Sequence, residues 1–329
     1  MARKSGKKKA SRYPVQRYLY YQFALDPAAP KYIDLAAGLS AINGRLYRQG
    51  RMYHVANVTM HNADGKIKSL QINTLPDTWN LKQAWHIMFD AWKDQRARVL
   101  ENSASDIVGK WADFKVTMNP SHKANTWELP ADADNNEIRG GTEVGGATST
   151  DTSESEWAYS TVNYIDKDGT SHEGDNLGVL GSTDTNTEYV SLMEELFNAR
   201  ASTMVEDPDV DPNVIKESVI FGMNPANQEF GGNSDLLQRI AEDNDIPPYN
   251  SQFPIGFNNP DSEGEHPFTV REMGITSTSV LTQTVGGFQV PLGLVEISGE
   301  LSGTALTNDI ALIFELVPGK YKGLRSEEF

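Results

Sequence analysis

The chain has 329 residues, a formal net charge of −16 and no cysteine, which excludes disulfide bonds, thiolate zinc sites and cysteine nucleophiles. No run approaches the 18 consecutive apolar residues of a membrane-spanning helix. The charged N-terminus is not followed by the apolar segment of a secretory signal. We therefore expect a soluble protein that is not exported by the signal-peptide route.

Charge is divided very unevenly along the chain. The first 17 residues hold seven of the 29 Lys and Arg and none of the 45 Asp and Glu. Their formal charge is therefore +7, and that of the remaining residues is −23. Such a segment buries too little apolar surface to offset its chain entropy, so we predict a disordered basic arm over residues 1–17. Its cations are Arg3, Lys4, Lys7, Lys8, Lys9, Arg12 and Arg17.

A flexible cationic arm suits a polyanion, because Lys and Arg neutralise phosphates and release counterions whatever the base sequence. The acidic remainder would repel nucleic acid from its own surface. The arm is therefore predicted to bind nucleic acid. Three other interpretations stay open: a nuclear localisation signal on Lys7-Lys8-Lys9, a solubilising tail, and a tag-like artefact.

Strand patterns begin directly after the arm. Alternating apolar residues predict a first strand over Tyr18–Leu25, and residues 32–39 are interpreted as a short connector. A β-hairpin is predicted next, with strands over 45–60 and 66–75 joined by a turn at Asp64-Gly65.

A helix is predicted over 78–100, because apolar side chains recur there at steps of three and four residues. Asp77 is the expected N-cap. Trp85 and Trp92 lie in the apolar stripe, which we interpret as packing on a sheet or on a neighbouring subunit, since no polar residues there suggest a cofactor site.

The middle of the chain mixes short elements with loops. Strands are predicted over 111–118, 157–165 and 218–223, and helices over 188–200 and 236–240. Between them, residues 130–156 are rich in Asp, Asn, Gly, Ser and Thr and predict a long exposed loop.

Two acidic loops have part of the calcium-loop pattern. Asp207, Asp209 and Asp211 have the required spacing, but Pro212 replaces the turn glycine and Ser218 the bidentate acid. A second set comes closer to the pattern but also lacks the glycine. We interpret both as solvated acidic loops and expect no metal site. Weak calcium binding between subunits, which needs only a few oxygens from two chains, stays open as an alternative. The second set is Asp132, Asp134, Asn136 and Glu143, with Glu137 at the glycine position.

The last sixty residues predict four strands, over 268–275, 277–284, 288–298 and 309–317. No strand–helix alternation is sustained along the chain. The fold class is therefore predicted as all-β with inserted helices, in the form of an antiparallel sandwich.

No catalytic constellation is present in the sequence. The six histidines are not paired at metal-ligand spacings, and no Gly-x-Ser-x-Gly elbow or phosphate-binding loop occurs. We therefore expect a protein that is not an enzyme and uses no cofactor.

The layout of arm 3–12, first strand, helix 78–100 and closing strand 309–317 with its basic tail resembles the coat proteins of small icosahedral viruses. The likeness is greatest to those of small circular single-stranded DNA viruses that encode a replication initiator. The tail cations are Lys320, Lys322 and Arg325.

This resemblance implies a single eight-stranded jelly roll over residues 18–329, with long loops such as 130–156 and the disordered arm in front. It also implies a homo-oligomeric shell of 60 or a multiple of 60 copies around single-stranded genomic nucleic acid. The expected location is the virion, with the host nucleus during assembly. One departure is that the arm is short, so seven charges per subunit neutralise only part of a packaged genome.

Two alternatives remain. A double jelly roll, as in membrane-containing viruses, needs about sixteen strands, more than the sequence predicts. A carbohydrate-binding or glycan-cleaving β-sandwich could use exposed Trp and the pair Glu194-Glu195. Adjacent residues on a helix diverge by about 100°, however, which makes these two acids a poor catalytic pair.

Overall fold

In the computed structural model, two largely antiparallel sheets and a set of inserted helices account for most of the chain that the structure describes. The residues that the structure describes are 15–27, 29–62, 67–101, 113–124, 127–128, 157–166, 170–184, 187–203, 218–223, 267–274, 282–301 and 308–329.

The first sheet has four long strands. In spatial order they are β1 (Tyr18–Leu25), β12 (Asn308–Leu316), β3 (Arg51–His61) and β10 (Thr282–Pro291), and the short β15 (Ser326–Glu328) also pairs with β3. The second sheet runs β5 (Trp127–Glu128), β2 (Lys31–Asp34), β11 (Leu294–Leu301), β4 (Ile67–Thr74) and β9 (Phe268–Gly274). All these pairings are antiparallel except β2 with β5.

The antiparallel pairings are nested. β1 pairs with β12, β2 with β11, β3 with β10, and β4 with β9. The outermost pair therefore joins the first long strand to the last, and each later pair lies inside the one before it in the sequence. This is the pattern of one long hairpin rolled up so that its successive segments alternate between the two sheets.

The space between the sheets is an apolar core. Period-two alternation turns Leu19, Tyr21, Phe23 and Leu25 of β1 inward, each at most 7% exposed. Ile310, Leu312 and Phe314 of β12 lie beside them in the same sheet. The second sheet contributes Ile33, Ile72 and Val295 to the same core. Burial of these side chains is the main driving force for closing the two sheets on each other.

The chain between β4 and β9, residues 75–267, forms an insertion with a core of its own. Besides β5, which joins the second sheet, its described elements are α2 (Trp79–Glu101), α3 (Pro120–Ala124), β6 (Thr161–Ile165), β7 (Ser171–Gly178), β8 (Tyr189–Ser191), α4 (Leu192–Thr203) and α5 (Val219–Gly222). Tyr32 and Leu294 of the second sheet join that core, so the insertion covers the side of this sheet that faces away from the sandwich. Phe329, only 5% exposed, also lies in it.

Strong local patterns predicted their elements well. The strand Tyr18–Leu25, the helix α2 and the closing strand β12 all form. The apolar stripe of α2 is buried over its first half, whereas Val99 near its end is 63% exposed. The coarse prediction of an antiparallel β-sandwich with inserted helices is confirmed.

Several predicted elements are wrong. The connector 32–39 is instead strand β2 followed by helix α1 (Leu35–Asn43), which begins because buried Asp34 accepts the N–H of Ala37 at 3.0 Å. Residues 218–223 form helix α5 instead of a strand. Residues 113–118 make only an isolated bridge at Thr117.

The predicted hairpin is also wrong. β3 and β4 lie in different sheets, so the chain crosses the sandwich between them instead of turning back. The turn residues 63–66 lie outside the described residues, as do the loops 130–156 and 207–212 and the helix 236–240.

Helix α2 is capped differently from the prediction. The Thr78 hydroxyl accepts the N–H of Leu81 at 3.4 Å, while Asp77 pairs with Lys82 at 2.6 Å. Asp77 therefore contributes a first-turn ion pair, and Thr78 supplies the cap.

Candidate nucleic-acid interface

The chain enters the fold at Val15, and the first described residues already contact the body. Arg17 donates from Nη1 to the carbonyl of Leu316 at 3.1 Å and lies 3.9 Å from Glu315 Oε1. Its own carbonyl accepts the Leu316 N–H at 3.0 Å. Arg17 was predicted to belong to the disordered arm. It instead extends the pairing of β1 with β12.

The other six predicted contacts, Arg3, Lys4, Lys7, Lys8, Lys9 and Arg12, lie outside the described residues. Their attachment point is well defined. The Gln16 N–H donates to Asn43 Oδ1 at 2.9 Å, and Asn43 Nδ2 donates back to the Gln16 carbonyl at 3.1 Å. On the other side of the chain, a Cβ placed on Gly323 would lie 2.7 Å from Val15 Cγ2. Residue 15 is thus held between the end of α1 and the turn at 321–324.

Six further cations come from the two segments that meet around this attachment point. We call this group the basic end of the sandwich: Arg45, Arg48, Arg51, Lys320, Lys322 and Arg325. The first three follow α1 or begin β3, and the others lie on or beside the hairpin of β13 (Pro318–Gly319) and β14 (Gly323–Leu324).

Backbone geometry fixes the turn that carries Lys322. The Tyr321 N–H donates to the Leu324 carbonyl and the Leu324 N–H to the Tyr321 carbonyl, both at 2.9 Å. Lys322 and Gly323 have φ of +49° and +96°, the positive values of a type I′ turn. Asn and Gly are the favoured residues at such positions, and a lysine there is unusual.

Two tyrosines attach this turn to the sandwich. The Tyr47 hydroxyl donates to the Lys322 carbonyl at 3.1 Å, and the Tyr321 hydroxyl accepts the Arg48 N–H at 3.0 Å. The rings meet edge to face with centroids 6.0 Å apart. The Arg51 guanidinium carbon lies 3.9 Å from the Tyr321 ring centroid, within the range of a cation–π contact.

The local field at Lys322 is positive. Burial lowers the pKa of the Lys322 ammonium, and the cations of Arg48, Arg51 and Arg45 lower it further, against an opposing effect of Asp113. The ammonium donates to the Leu46 carbonyl. It lies 5.3 Å from the Tyr321 ring centroid and 5.6 Å from that of Tyr47.

Carboxylates neutralise only part of the basic end. Arg48 pairs with Asp113 at 3.2 Å, Arg51 with Glu328 at 3.4 Å, and Arg325 with Glu327 at 3.4 Å. Among the residues that the structure describes, no carboxylate lies within 4.0 Å of the Lys320 or Lys322 ammonium group. These two lysines are the cations of the group most available to an external anion.

Glu194 and Glu195, the acids of the carbohydrate alternative, hold the insertion together. Glu195 is buried and accepts the hydroxyls of Thr183 at 2.8 Å and Ser218 at 3.0 Å, and the Val219 N–H at 2.6 Å. Burial raises the pKa of Glu195 to about 7, although these donors lower it in part. Glu194 accepts the Thr183 N–H. Both acids thereby fix the loop before β8 to α4 and α5.

Asp34 and His122 have similar structural roles. Asp34 accepts Gln49 Nε2 and Trp157 Nε1, each at 3.1 Å, besides capping α1, and burial raises its pKa to about 6. His122 accepts the Met118 N–H at Nδ1 at 3.0 Å, and burial lowers its pKa to about 3. In the described residues, no three His, Asp or Glu side chains come together as a metal site would require.

No helix in the described part of the chain is both long and apolar enough to span a bilayer. Comparisons with protein-family models, with curated proteins and with solved structures each gave no match to this chain.

Proposed function

We propose that this protein is the coat protein of a small icosahedral virus, a structural protein without catalytic activity that assembles into a closed shell around its genome. The single observation that carries the proposal is the nested pairing of β1 with β12, β2 with β11, β3 with β10 and β4 with β9. That pairing is what an eight-stranded jelly roll requires, and jelly rolls are a frequent fold of viral shells.

The strand order favours one jelly roll over two. The additional sheet in the insertion has three described strands, β6, β7 and β8, and its β7–β8 pair is parallel. A second roll would need eight more long antiparallel strands. The insertion instead supports an interpretation as an elaboration between the fourth and fifth strands of a single roll.

Charge supports nucleic acid as the internal partner. Six cations precede residue 15, and this residue enters the body beside the six cations of the basic end. In a shell, the cations of the arm and those of the basic end would both face the interior, because the arm joins the folded body beside the basic end. A polyanion is the partner that such a surface attracts, and packaged genomic nucleic acid is the one that a virion offers.

Electron microscopy of the purified protein tests the proposal directly. Closed shells of uniform diameter are expected, with an absorbance ratio at 260 and 280 nm that indicates enclosed nucleic acid. Deleting residues 2–12 should preserve shells and lower that ratio. Sedimentation as a monomer at every salt concentration and pH would overturn the shell function, and an unchanged ratio after the deletion would overturn the role of the arm.

A further inference from the structure

Lys322 occupies a position where its backbone and its charge are both unfavourable. A non-glycine residue at φ +49° is strained, and Asn or Gly would relieve the strain. The ammonium is also placed in the field of Arg48, Arg51 and Arg45. Strained residues that the surrounding structure holds in place occur often at functional sites.

The surroundings of Lys322 are built to hold it. Its carbonyl accepts the Tyr47 hydroxyl, its ammonium donates to the Leu46 carbonyl, and the turn closes through two backbone hydrogen bonds between Tyr321 and Leu324. The lysine is therefore pre-organised, which reduces the conformational entropy that binding would cost. Lys320, two residues earlier, is exposed and outside the turn.

We propose that the Lys322 turn is a phosphodiester-binding site in the folded body, formed by Lys322 with Arg48 and distinct from the arm. An anionic phosphate would offset the mutual repulsion of these cations, and the ammonium and guanidinium would bind it through charge-assisted hydrogen bonds. Asp113, which pairs with Arg48 at 3.2 Å, is the carboxylate with which the phosphate would compete.

The identity of the anion, a single-stranded polynucleotide, rests on the proposed function. The presence of an anion site at this turn does not. Residue 15 lies against Gly323, the neighbour of Lys322. A nucleic-acid strand that follows the arm towards the folded body would therefore reach this turn first. The turn would fix one phosphate at a defined place, while the arm binds the backbone without a fixed position.

The test uses the full chain, freed of co-purified nucleic acid, with a fluorescein-labelled 20-nucleotide oligothymidylate. Binding is measured by anisotropy from 50 to 400 mM NaCl for the wild type and for Lys322→Asn. We expect about 3- to 10-fold weaker binding at 150 mM salt, and a salt slope smaller by about 0.7, the value for one phosphate contact on a single strand. The urea midpoint should be equal or higher, because Asn suits a left-handed turn position.

Two controls separate a built site from general charge. Lys320→Asn removes the same charge outside the turn and should weaken binding less than Lys322→Asn. Lys68→Asn, on the second sheet where Lys68 pairs with Glu300 at 2.5 Å, should leave binding unchanged. Equal losses for Lys320→Asn and Lys322→Asn would overturn the proposal.

A measurement on the wild type covers the case in which Lys322→Asn fails to fold. Acetylation of lysines by a limiting dose of acetic anhydride is followed by mass spectrometry with and without the oligothymidylate. Outside the arm, Lys322 is expected to be protected more than Lys320 and Lys68, and unchanged acetylation of Lys322 would overturn the site. Equal protection by inorganic phosphate at the same phosphate concentration would contradict a polynucleotide ligand. If the protein forms shells but Lys322 is not protected from acetylation, only the turn site is overturned. If Lys322 is protected but the protein forms no shells, only the coat function is overturned.

Discussion

Arg17 and Leu316 are joined by two hydrogen bonds although 299 positions separate them in the chain. The Leu316 N–H donates to the Arg17 carbonyl at 3.0 Å, and the Arg17 guanidinium donates to the Leu316 carbonyl at 3.1 Å. The charge of Arg17 is thus used within the sheet, and the arm available to an external polyanion ends before it.

Replacing Arg17 by Gln should therefore change stability more than nucleic-acid content. We expect a loss of about 0.5–1.5 kcal/mol in the free energy of unfolding, the usual effect of one partly buried hydrogen bond, measured by urea titration. Arg12→Gln is the matched control: its urea midpoint should be unchanged and its 260/280 nm ratio lower. If Arg17→Gln instead lowered the 260/280 nm ratio and left the urea midpoint unchanged, Arg17 would bind nucleic acid together with the arm.

Phe329 anchors the end of the sequence to the insertion. Its ring meets that of Trp85 edge to face with centroids 6.4 Å apart, and it is 5% exposed. Phe329→Ala should destabilise the protein by about 3 kcal/mol, the cost of a large cavity-forming substitution, in chemical denaturation followed by tryptophan fluorescence. Phe268→Ala, at a ring that is 62% exposed, should cost little, and similar losses for both variants would contradict the anchoring role.

Glu195 should make stability depend on pH. Burial raises its pKa from 4.5 to about 7, so the folded state binds a proton that the unfolded state has lost between these values. The free energy of unfolding should consequently fall as pH rises from about 4.5 to 7. Above that range Glu195 is ionised in both the folded and the unfolded state, so it should add no further pH dependence.

The variant Glu195→Gln isolates this effect, because the Thr183 and Ser218 hydroxyls can accept as well as donate. The stability of the wild type relative to the variant should decrease across the same pH window in urea titrations. The control Glu173→Gln changes an exposed carboxylate and should give a curve parallel to that of the wild type. A constant difference between Glu195→Gln and wild type from pH 4 to 8 would contradict the assigned titration.

The adjacent glycines of β10 should respond oppositely to alanine. A Cβ on Gly287 would lie 2.5 Å from the Val55 carbonyl oxygen, whereas one on Gly286 would have no atom within 4 Å. We expect Gly287→Ala to cost about 1–3 kcal/mol, as overpacking does, and Gly286→Ala to change stability by less than about 0.5 kcal/mol. Thermal unfolding of the two variants in parallel is the measurement, and equal midpoints would contradict the close approach of β10 to β3.

Local patterns explain which elements could be predicted. In β1 and α2 the apolar side chains recur at the spacing of a strand and of a helix. These are largely the side chains that the fold buries, so the pattern predicts the element. The strand β2 is only four residues long, too short for a period to appear, and Asp34 becomes recognisable as a cap only once α1 is known. In α5, the apolar residues Val219 and Ile220 suggest a strand, but the Ser218 cap and the contact with Glu195 select a helix.

Non-local pairing explains the remaining errors. The Asp64-Gly65 pair is a genuine turn signal, yet β3 finds its partners in β10 and β12, more than 200 positions away. The boundary predicted between the strands 277–284 and 288–298 is wrong, because β10 continues through Gly286 and Gly287 to Pro291. For the same reason the basic end could not be assembled from sequence, since Arg48 and Tyr321 meet only in the folded chain.

The nested pairing has a consequence for synthesis of the chain. β1 is made first, yet its only described partner is β12, so about 280 residues must leave the ribosome before Tyr18–Leu25 can be covered. During that interval an apolar, aromatic edge is open to other nascent chains, and contacts so distant in sequence form slowly. The six cations directly ahead of β1 repel their counterparts on neighbouring chains, as gatekeeper charges do beside aggregation-prone strands. The arm would thus limit association between unfinished chains before it meets any polyanion.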